Sequence, residues 1–226
     1  MNRALPALLV SLCLSPVMPI QAADIKLETE KDKLSYAIGL LTAEQWKRQG
    51  IEVNPDVIAA VIDDVQAGKP PQLSEAEVRA ALDKFQQQQE DKAKLAAEQN
   101  KAEGASFLAK NKENKGVVET TSGLQYQIVE AGEGEHPKAS DRVTVHYRGT
   151  LLDGTEFDSS YSRGQPATFP LNGVIAGWTE GVQLIKPGGK IKLFIPSELA
   201  YGDRGAPPTI KPGATLVFDV ELISIN

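Results

Sequence analysis

The feature that most constrains the fold is a change in the spacing of apolar residues near residue 115. From residue 24 to about residue 115 apolar residues recur at helical spacing, and only four of the nineteen glycines occur there. From residue 116 onward apolar and polar residues alternate in short segments that glycine and proline separate. The first pattern predicts amphipathic helices and the second predicts half-buried strands. The sequence therefore predicts a helical region followed by an α+β domain, in which a short helix covers an antiparallel sheet.

The first residues of the chain predict a secretory signal peptide. Arg3 precedes a short apolar run that small residues follow, so we expect residues 1–23 to be removed by cleavage after Ala22 or Ala23. The only cysteine, Cys13, would leave with this segment, and a cysteine-free mature chain suits an oxidising compartment. The alternatives are an uncleaved membrane anchor, disfavoured by prolines late in the run, and lipid attachment at Cys13, disfavoured by the leucine before it.

Three helices are predicted between residues 24 and 115. The first has an apolar stripe at Leu34, Ala37, Ile38 and Leu41. The second begins with Asn54 as N-cap and Pro55 as its first residue. The third begins with a capping box at Ser74 and continues to about Asn111, a length of about 55 Å. Its glutamine-rich stretch, residues 86–92, has no apolar face, which predicts a solvated spacer.

The two short helices in residues 24–72 cannot form a sizeable core by themselves. We expect them to bury their apolar stripes against a second copy of the chain. Residues 24–72 would then be a helical homodimerisation domain, and residues 73–115 a long connecting helix. The alternative is that the stripes pack on the C-terminal domain.

Residues 116–226 predict alternating strands separated by turns, with one short helix near residues 177–184. The strands are expected around residues 124–128, 143–147, 190–195 and 216–222. In the first of them we expect Leu124, Tyr126 and Ile128 to face the core and Gln125 to face solvent. One apolar sheet face and one helix to cover it are sufficient for a small core.

Several classes of function are disfavoured by composition and motifs. The net charge of −6 argues against non-specific nucleic-acid binding, which requires clustered basic residues. The two histidines, His136 and His146, lack partners at metal-ligand spacing, so we expect no metal and no cofactor. No nucleophile motif of a hydrolase occurs, and the predicted mature chain has no cysteine.

The C-terminal segment concentrates aromatic residues around one acidic residue, Asp158. These aromatic residues are Tyr147, Phe157, Phe169, Trp178, Tyr201 and Phe218. A mostly apolar pocket with one or two polar groups suits the binding of a small apolar ring, which indicates proline. Taken singly, Trp178 and Phe218 would be ordinary core residues, Tyr201 could anchor a loop and Asp158 could cap a turn. The joint arrangement favours the pocket.

The motifs resemble a known family. They are V-T-V-H-Y-R-G-T-L-x-D-G-T-E-F-D-S-S at 143–160, G-W-x-E-G-V at 177–182, I-P-S-E-L-A-Y-G at 195–202 and A-T-L-V-F-D-V-E-L at 214–222. With them, residues 116–226 resemble the rapamycin-binding, FKBP-type peptidyl-prolyl cis–trans isomerases. With the S-Y-A-I-G segment at 35–39, the long helix and the T-S-G-L-Q-Y segment at 121–126, the whole mature chain resembles the macrophage-infectivity-potentiator branch of that family in Gram-negative bacteria. The resemblance implies a five-stranded antiparallel half-barrel wrapped on a short helix, and a V-shaped homodimer.

The resemblance also implies roles for individual residues. Asp158 would be the polar group beside the reacting imide, and Tyr201 would donate a hydrogen bond to a substrate carbonyl. Arg163 would position Asp158, and the backbone of Ile175 would supply a further N–H. Trp178 would form the floor of the pocket. The remaining walls and binding residues would be Tyr147, Phe157, Phe169, Val174, Ile175, Ile210 and Phe218. Ala167 and Ala206, where relatives carry larger residues, would weaken the binding of rapamycin-type macrolides.

The function implied by the resemblance is acceleration of X–Pro isomerisation in unfolded or nascent exported proteins, with chaperone activity beside it. The expected location is the periplasm, with association to the outer membrane left open. One alternative is a dimeric holdase chaperone in which isomerase activity is incidental. Another is a surface protein that binds a proline-rich host partner.

Overall fold

The computed structural model describes residues 25–226, so the predicted signal peptide lies outside the described residues. The chain divides into two compact units between Ile62 and Asp63. Within residues 25–226, none of the helices combines the length and the apolar character that crossing a membrane would require.

Both N-terminal helices begin at local caps, and the cap of the second, Asn54, is the one that the sequence predicts. Helix α1, Glu30–Gln49, begins at Thr29 in a capping box with Asp32 and ends at Gly50 in the left-handed conformation. Helix α2, Pro55–Gln66, follows Asn54, whose side-chain oxygen accepts from the backbone N–H groups of Asp56 and Val57. No residue of either helix is buried. Their exposed large apolar side chains include Leu34, Ile38, Leu41, Val57, Val61, Ile62 and Val65.

Helix α3, Glu75–Asn111, begins at the predicted capping box of Ser74 and Glu77. Its glutamine-rich part is solvated as predicted, with side-chain bonds from glutamines to acidic residues one turn later. Beyond this part the helix is no longer solvated on all sides, because Ala97, Gly104 and Asn111 are buried against the C-terminal domain. These residues recur every seven positions and so share one helix face. Two of them are small and the third is polar, so hydropathy alone does not reveal the face.

The C-terminal domain is built on one antiparallel sheet. Its seven strands follow the order β1-β2-β6-β7-β3-β4, and β5 also pairs with β3. The strands are β1 Val117–Glu119, β2 Gln125–Glu130, β3 Arg142–Thr150, β4 Glu156–Ser159, β5 Ala167–Pro170, β6 Lys190–Ile195 and β7 Leu216–Ile225. Both β4 and β5 pair with β3, at successive positions along it. Counting them as one interrupted edge strand, and setting aside the three-residue β1, leaves the five strands that were expected.

Helix α4, Ala176–Val182, covers one face of this sheet at close range. A Cβ atom on Gly177 would lie 2.4 Å from a methyl of Ile195, and one on Gly181 would lie 2.5 Å from a methyl of Leu193. Real Cβ atoms do not approach other atoms so closely, so both positions require glycine. The close approach brings the intervening Trp178 into the core, where it is 4% exposed.

The predicted orientation of β2 is wrong at two positions. Gln125 is fully buried, and Ile128 is 43% exposed. The end of α3 packs against Gln125, whose amide donates to the Leu108 carbonyl and accepts from the Asn111 amide, each at 2.9 Å. A buried amide is tolerated when its polar atoms are bonded, as they are here. The contact with the end of α3 is therefore the reason that Gln125 is buried, whereas Ile128 lies where the register between β2 and β6 shifts.

Candidate active site

An open cavity of about 410 Å³ lies between α4 and the concave face of the sheet. It is lined by Tyr147, Phe157, Asp158, Phe169, Gly173, Val174, Ile175, Trp178, Tyr201 and Phe218. Nine of these ten residues belong to the eleven expected from the sequence. The residues come from strands, from the helix and from two loops, so the fold is required to bring them together. A cavity of this size and composition suits a small apolar ligand held by a few polar groups.

Trp178 is the central aromatic residue of the cavity. Its ring meets Tyr147 edge to face at 5.1 Å, Phe218 at 5.2 Å and Phe169 at 5.9 Å. Each edge-to-face pair contributes about 0.5–1.5 kcal/mol beyond the burial of its area. Three aromatic rings therefore pack edge to face against Trp178 at the floor of the cavity.

Gly149 of β3 is needed for the wall that Phe157 and Phe218 form. A Cβ atom at this position would lie 2.7 Å from ring atoms of both phenylalanines. With glycine there, the two rings pack edge to face at 5.4 Å. The glycine in the V-H-Y-R-G motif is therefore explained by close packing under the cavity wall.

Three polar residues form a hydrogen-bonded network at the edge of the cavity. The Tyr147 hydroxyl donates to Asp158 Oδ2 at 2.5 Å, and Arg163 Nη2 donates to the Tyr147 oxygen at 2.6 Å. Arg163 Nη1 pairs with the other carboxylate oxygen of Asp158. The guanidinium carbon also lies 5.4 Å from the centre of the Tyr147 ring. Arg163 does not line the cavity itself, so its contribution is to hold the other two groups.

This network favours the ionised form of Asp158. Burial raises the pKa of Asp158, but the Tyr147 hydroxyl and the Arg163 guanidinium outweigh burial and hold that pKa below its ordinary value of 3.8. Burial, and then the bond to Asp158, raises the pKa of the Tyr147 hydroxyl. At neutral pH the site therefore presents a fixed carboxylate and a neutral phenol, so Asp158 is not a proton donor there.

The remaining expected residues fall into two groups. Val174, Ile175 and the half-exposed Tyr201 lie on the cavity wall. Ile210 does not line the cavity, and its side chain lies in the core at 5% exposure. Gly173 lines the cavity although sequence reasoning did not select it. Its position directly before Val174 in the chain is the only sequence signal that could have identified it.

The arrangement can bind and orient a small ring without covalent chemistry. Its surface is aromatic and aliphatic, and its charged group is a carboxylate that the network holds in one orientation. In the part of the chain from residue 25 to residue 226, no cluster of three or more His, Cys, Asp or Glu side chains is arranged to hold a metal ion. The geometry is suited to stabilising one conformation of a bound peptide over another.

Comparison with known proteins agrees with this geometry. A family profile described as FKBP-type peptidyl-prolyl cis–trans isomerase matches residues 133–223. A second, described as the domain amino-terminal to that isomerase, matches residues 31–128. The outer membrane protein MIP of Legionella longbeachae is 44% identical over 99% of this chain and 97% of its own length. The FKBP-type peptidyl-prolyl cis–trans isomerase FkpA of Escherichia coli K12 is 44% identical over 92% of this chain and 81% of its own length.

Solved structures give the same result. The crystal structure of FkpA from Escherichia coli matches with a TM-score of 0.63 and 44% identity, covering 88% of this chain and 98% of that one. A peptidyl-prolyl cis–trans isomerase from Pseudomonas syringae pv. tomato matches with a TM-score of 0.54 and 40% identity, covering 57% of this chain and 96% of that one. The similarity to FkpA extends over the helical region as well as over the sheet domain.

Proposed function

The chain belongs to the FKBP-type peptidyl-prolyl cis–trans isomerases, and from this premise we propose that it accelerates X–Pro isomerisation in the folding of exported proteins. The observation that carries the proposal is the aromatic cavity with an oriented carboxylate at its edge. Rotation about an X–Pro bond has a barrier of about 20 kcal/mol and takes tens of seconds or longer without catalysis. This step can therefore limit the folding rate of a protein that contains proline.

The cavity supports a mechanism of differential binding. The twisted transition state has less charge separation than the planar imide, so an apolar aromatic surface favours the twisted form. A thousandfold acceleration requires only about 4 kcal/mol of such preference. The proline ring would lie over Trp178 at the floor of the cavity. Three aromatic rings pack edge to face against Trp178 and support it in this position.

Polar groups around the floor would add to this preference. Asp158 would face the imide carbonyl carbon as that group turns out of the plane, held in place by Tyr147 and Arg163. The Tyr201 hydroxyl and the backbone N–H of Ile175 would bind substrate carbonyls. The binding of rapamycin-type macrolides by the same cavity is part of the proposal.

Export is supported by sequence and by the names of relatives. The predicted signal peptide, residues 1–23, would leave a mature chain without cysteine. One relative carries the name outer membrane protein MIP. We place the protein in the periplasm, with association to the outer membrane as a second location for the same activity. Its clients would be unfolded or nascent exported proteins that contain proline.

A homodimer through residues 24–72 is also part of the proposal. The stripe residues of α1 and α2 are exposed in the single chain, and large apolar side chains exposed in such number mark a protein interface. Residues 73–115 would connect this dimer to the isomerase domain, residues 116–226. Light scattering at micromolar concentration should give twice the mass of the chain, and a monomer would contradict the dimer.

Refolding assays test the folding role against its rivals. A secreted client whose refolding is limited by one X–Pro bond should fold faster with the full-length protein, and Asp158→Ala should remove most of the acceleration. If Asp158→Ala is inactive on a Leu-Pro peptide and yet supports refolding of the client and prevents its aggregation as well as the unaltered protein does, a mainly chaperone function is supported instead. If protease treatment of whole cells degrades the protein, a surface role that binds a host partner is supported.

A further inference from the structure

A second group of contacts lies outside the cavity, where the last turns of α3 meet a loop of the sheet domain. This loop, residues 196–215, joins β6 to β7 and is called the Tyr201 loop below. Tyr201 lines the cavity, whereas Ile210 of the same loop is buried in the core. The position of the Tyr201 hydroxyl over a substrate therefore depends on what holds this loop in place.

The ammonium group of Lys101 contacts the loop on both sides of Tyr201. Lys101 Nζ lies 2.5 Å from a carboxylate oxygen of Asp203 and 3.6 Å from one of Glu198. Asp203 follows Tyr201 by two residues and Glu198 precedes it by three, so one cation bridges the segment that presents the tyrosine. Exposed ion pairs contribute little to global stability. The effect of this bridge is therefore expected on the loop rather than on the fold.

The backbone of α3 reaches the same loop through Gly213. Asn100 Nδ2 donates to the Pro212 carbonyl at 2.7 Å. The adjacent Gly213 has φ of +72°, and a Cβ atom there would lie 2.4 Å from the Ala97 carbonyl oxygen. The Gly213 N–H donates to the carbonyl of Gly202 at 2.9 Å. Because Gly202 directly follows the tyrosine in the chain, these contacts connect the helix to the residue that lines the cavity.

The loop is also closed by its own hydrogen bonds. Ala206 and Ile210 exchange backbone bonds of 2.9 and 3.0 Å, and the Gly205 N–H donates to the Tyr201 carbonyl at 3.2 Å. A loop bonded in this way moves as a unit. Restraint at a few points, from Asn100 and Lys101, is therefore sufficient to restrict the position of the tyrosine.

We propose that Asn100 and Lys101 are positioning residues for the isomerase reaction, because they hold the Tyr201 loop in the conformation that binds substrate. The inference rests on the proposed role of Tyr201 as a donor to a substrate carbonyl. It makes the last turns of α3 a part of the binding site as well as the end of a linker. Helix α3 is continuous from Glu75 to Asn111, and its buried residues Ala97, Gly104 and Asn111 lie in its C-terminal half. This half of the helix packs on the sheet domain and therefore belongs structurally to the catalytic domain.

The expected effect follows from the population of the competent loop. A substrate that binds only one loop conformation has its apparent dissociation constant raised by the inverse of the fraction in that conformation. If loss of a restraint lowers this fraction to between a third and a tenth, KM rises about threefold to tenfold. The bound state is unchanged, so kcat is expected to stay within about twofold of the unaltered value.

The test compares variants of the full-length protein by NMR exchange with a Leu-Pro tetrapeptide at several concentrations. Lys101→Met and Asn100→Ala should raise KM. In Lys101→Arg, KM should stay at the value of the unaltered protein, because a guanidinium can bridge the same carboxylates. The matched control is Lys94→Met, which removes an exposed lysine two turns earlier on the same helix and should leave KM unchanged. The midpoint of thermal unfolding should stay within about 2 °C for Lys101→Met, as for other exposed ion pairs.

Three outcomes would overturn the inference in distinguishable ways. If Tyr201→Phe raises KM but Lys101→Met and Asn100→Ala behave like Lys94→Met, the helix does not position the loop, and the role of Tyr201 stands. If Tyr201→Phe itself changes neither constant, the proposed role of that tyrosine fails and the inference fails with it. If Lys101→Met and Lys101→Arg both raise KM, and both also lower the midpoint of thermal unfolding, Lys101 has a structural role only.

Discussion

Tyr147→Phe tests the polar network of the site most specifically. The substitution keeps the ring that meets Trp178 at 5.1 Å and removes only the hydroxyl. Asp158 then loses a donor at 2.5 Å, and Arg163 loses an acceptor at 2.6 Å, while the pair between these two residues remains. A bond to a charged group contributes about 1.5–3 kcal/mol. Because the Asp158 side chain is 43% exposed, water replaces part of the loss, and we expect about 1 kcal/mol at pH 7.

The pH dependence of this loss has a definite sign. The pKa of Asp158 is depressed in the folded protein, so its contribution to stability is present above the ordinary value of 3.8 and is lost as the pH falls through the folded pKa. Removing one of the groups that lower this pKa should raise it in the variant. The difference in unfolding free energy between the two proteins should therefore be largest at neutral pH and should shrink in acid.

Urea denaturation at pH 7 and pH 3 measures this difference. A Trp46→Phe background leaves Trp178 as the only tryptophan, so fluorescence reports the isomerase domain. Tyr126→Phe, at a partly buried tyrosine outside the network, is the control and should change the unfolding free energy by less than about 0.5 kcal/mol. An equal loss at both pH values, or no loss beyond that of the control, would refute the account of the network.

Three further substitutions test the packing and the assembly. Gly104→Ala should destabilise the protein by about 1 kcal/mol despite the better helix propensity of alanine, because its Cβ would lie 2.1 Å from Thr215 Oγ1. Adding Thr215→Ala should recover most of that loss in urea denaturation, and a stabilised single variant would contradict the packing. Gly177→Ala should cost about 1–3 kcal/mol and lower kcat/KM, because it moves α4 and with it the cavity floor. Val57→Asp should yield a monomer in light scattering while kcat/KM for a peptide stays within about twofold, and a persisting dimer would contradict the interface.

Local signals in the sequence predict much of this fold. The capping boxes at Thr29 and Ser74 and the N-cap Asn54 define where helices begin, because capping is decided by residues close in sequence. The alternation in the longer strands is likewise a local property. The mostly aromatic composition of the cavity followed from motifs, and nine of the eleven expected residues line it.

What could not be predicted depends on neighbours distant in the chain. The buried Gln125 reflects the end of α3, which packs on it from another part of the sequence. The face of α3 that packs on the sheet domain consists of small and polar residues, so no apolar stripe in the sequence indicates it. Gly149 and Gly177 are required by side chains that approach them only in the folded domain. The resemblance implies that Ile210 belongs to the pocket, yet Ile210 does not line the cavity, because a motif does not tell which way a loop residue points.

The most direct test of the central claim is the isomerisation rate of a Leu-Pro tetrapeptide with the full-length protein and with Asp158→Ala. The control is Asp219→Ala, which removes an exposed carboxylate paired with Lys192 on the sheet. We predict fast isomerisation that rapamycin inhibits, and a loss of about tenfold or more in kcat/KM for Asp158→Ala only, or about 1.4 kcal/mol. An Asp158→Ala protein as active as the control would contradict the account, because the oriented carboxylate would then have no part in the reaction.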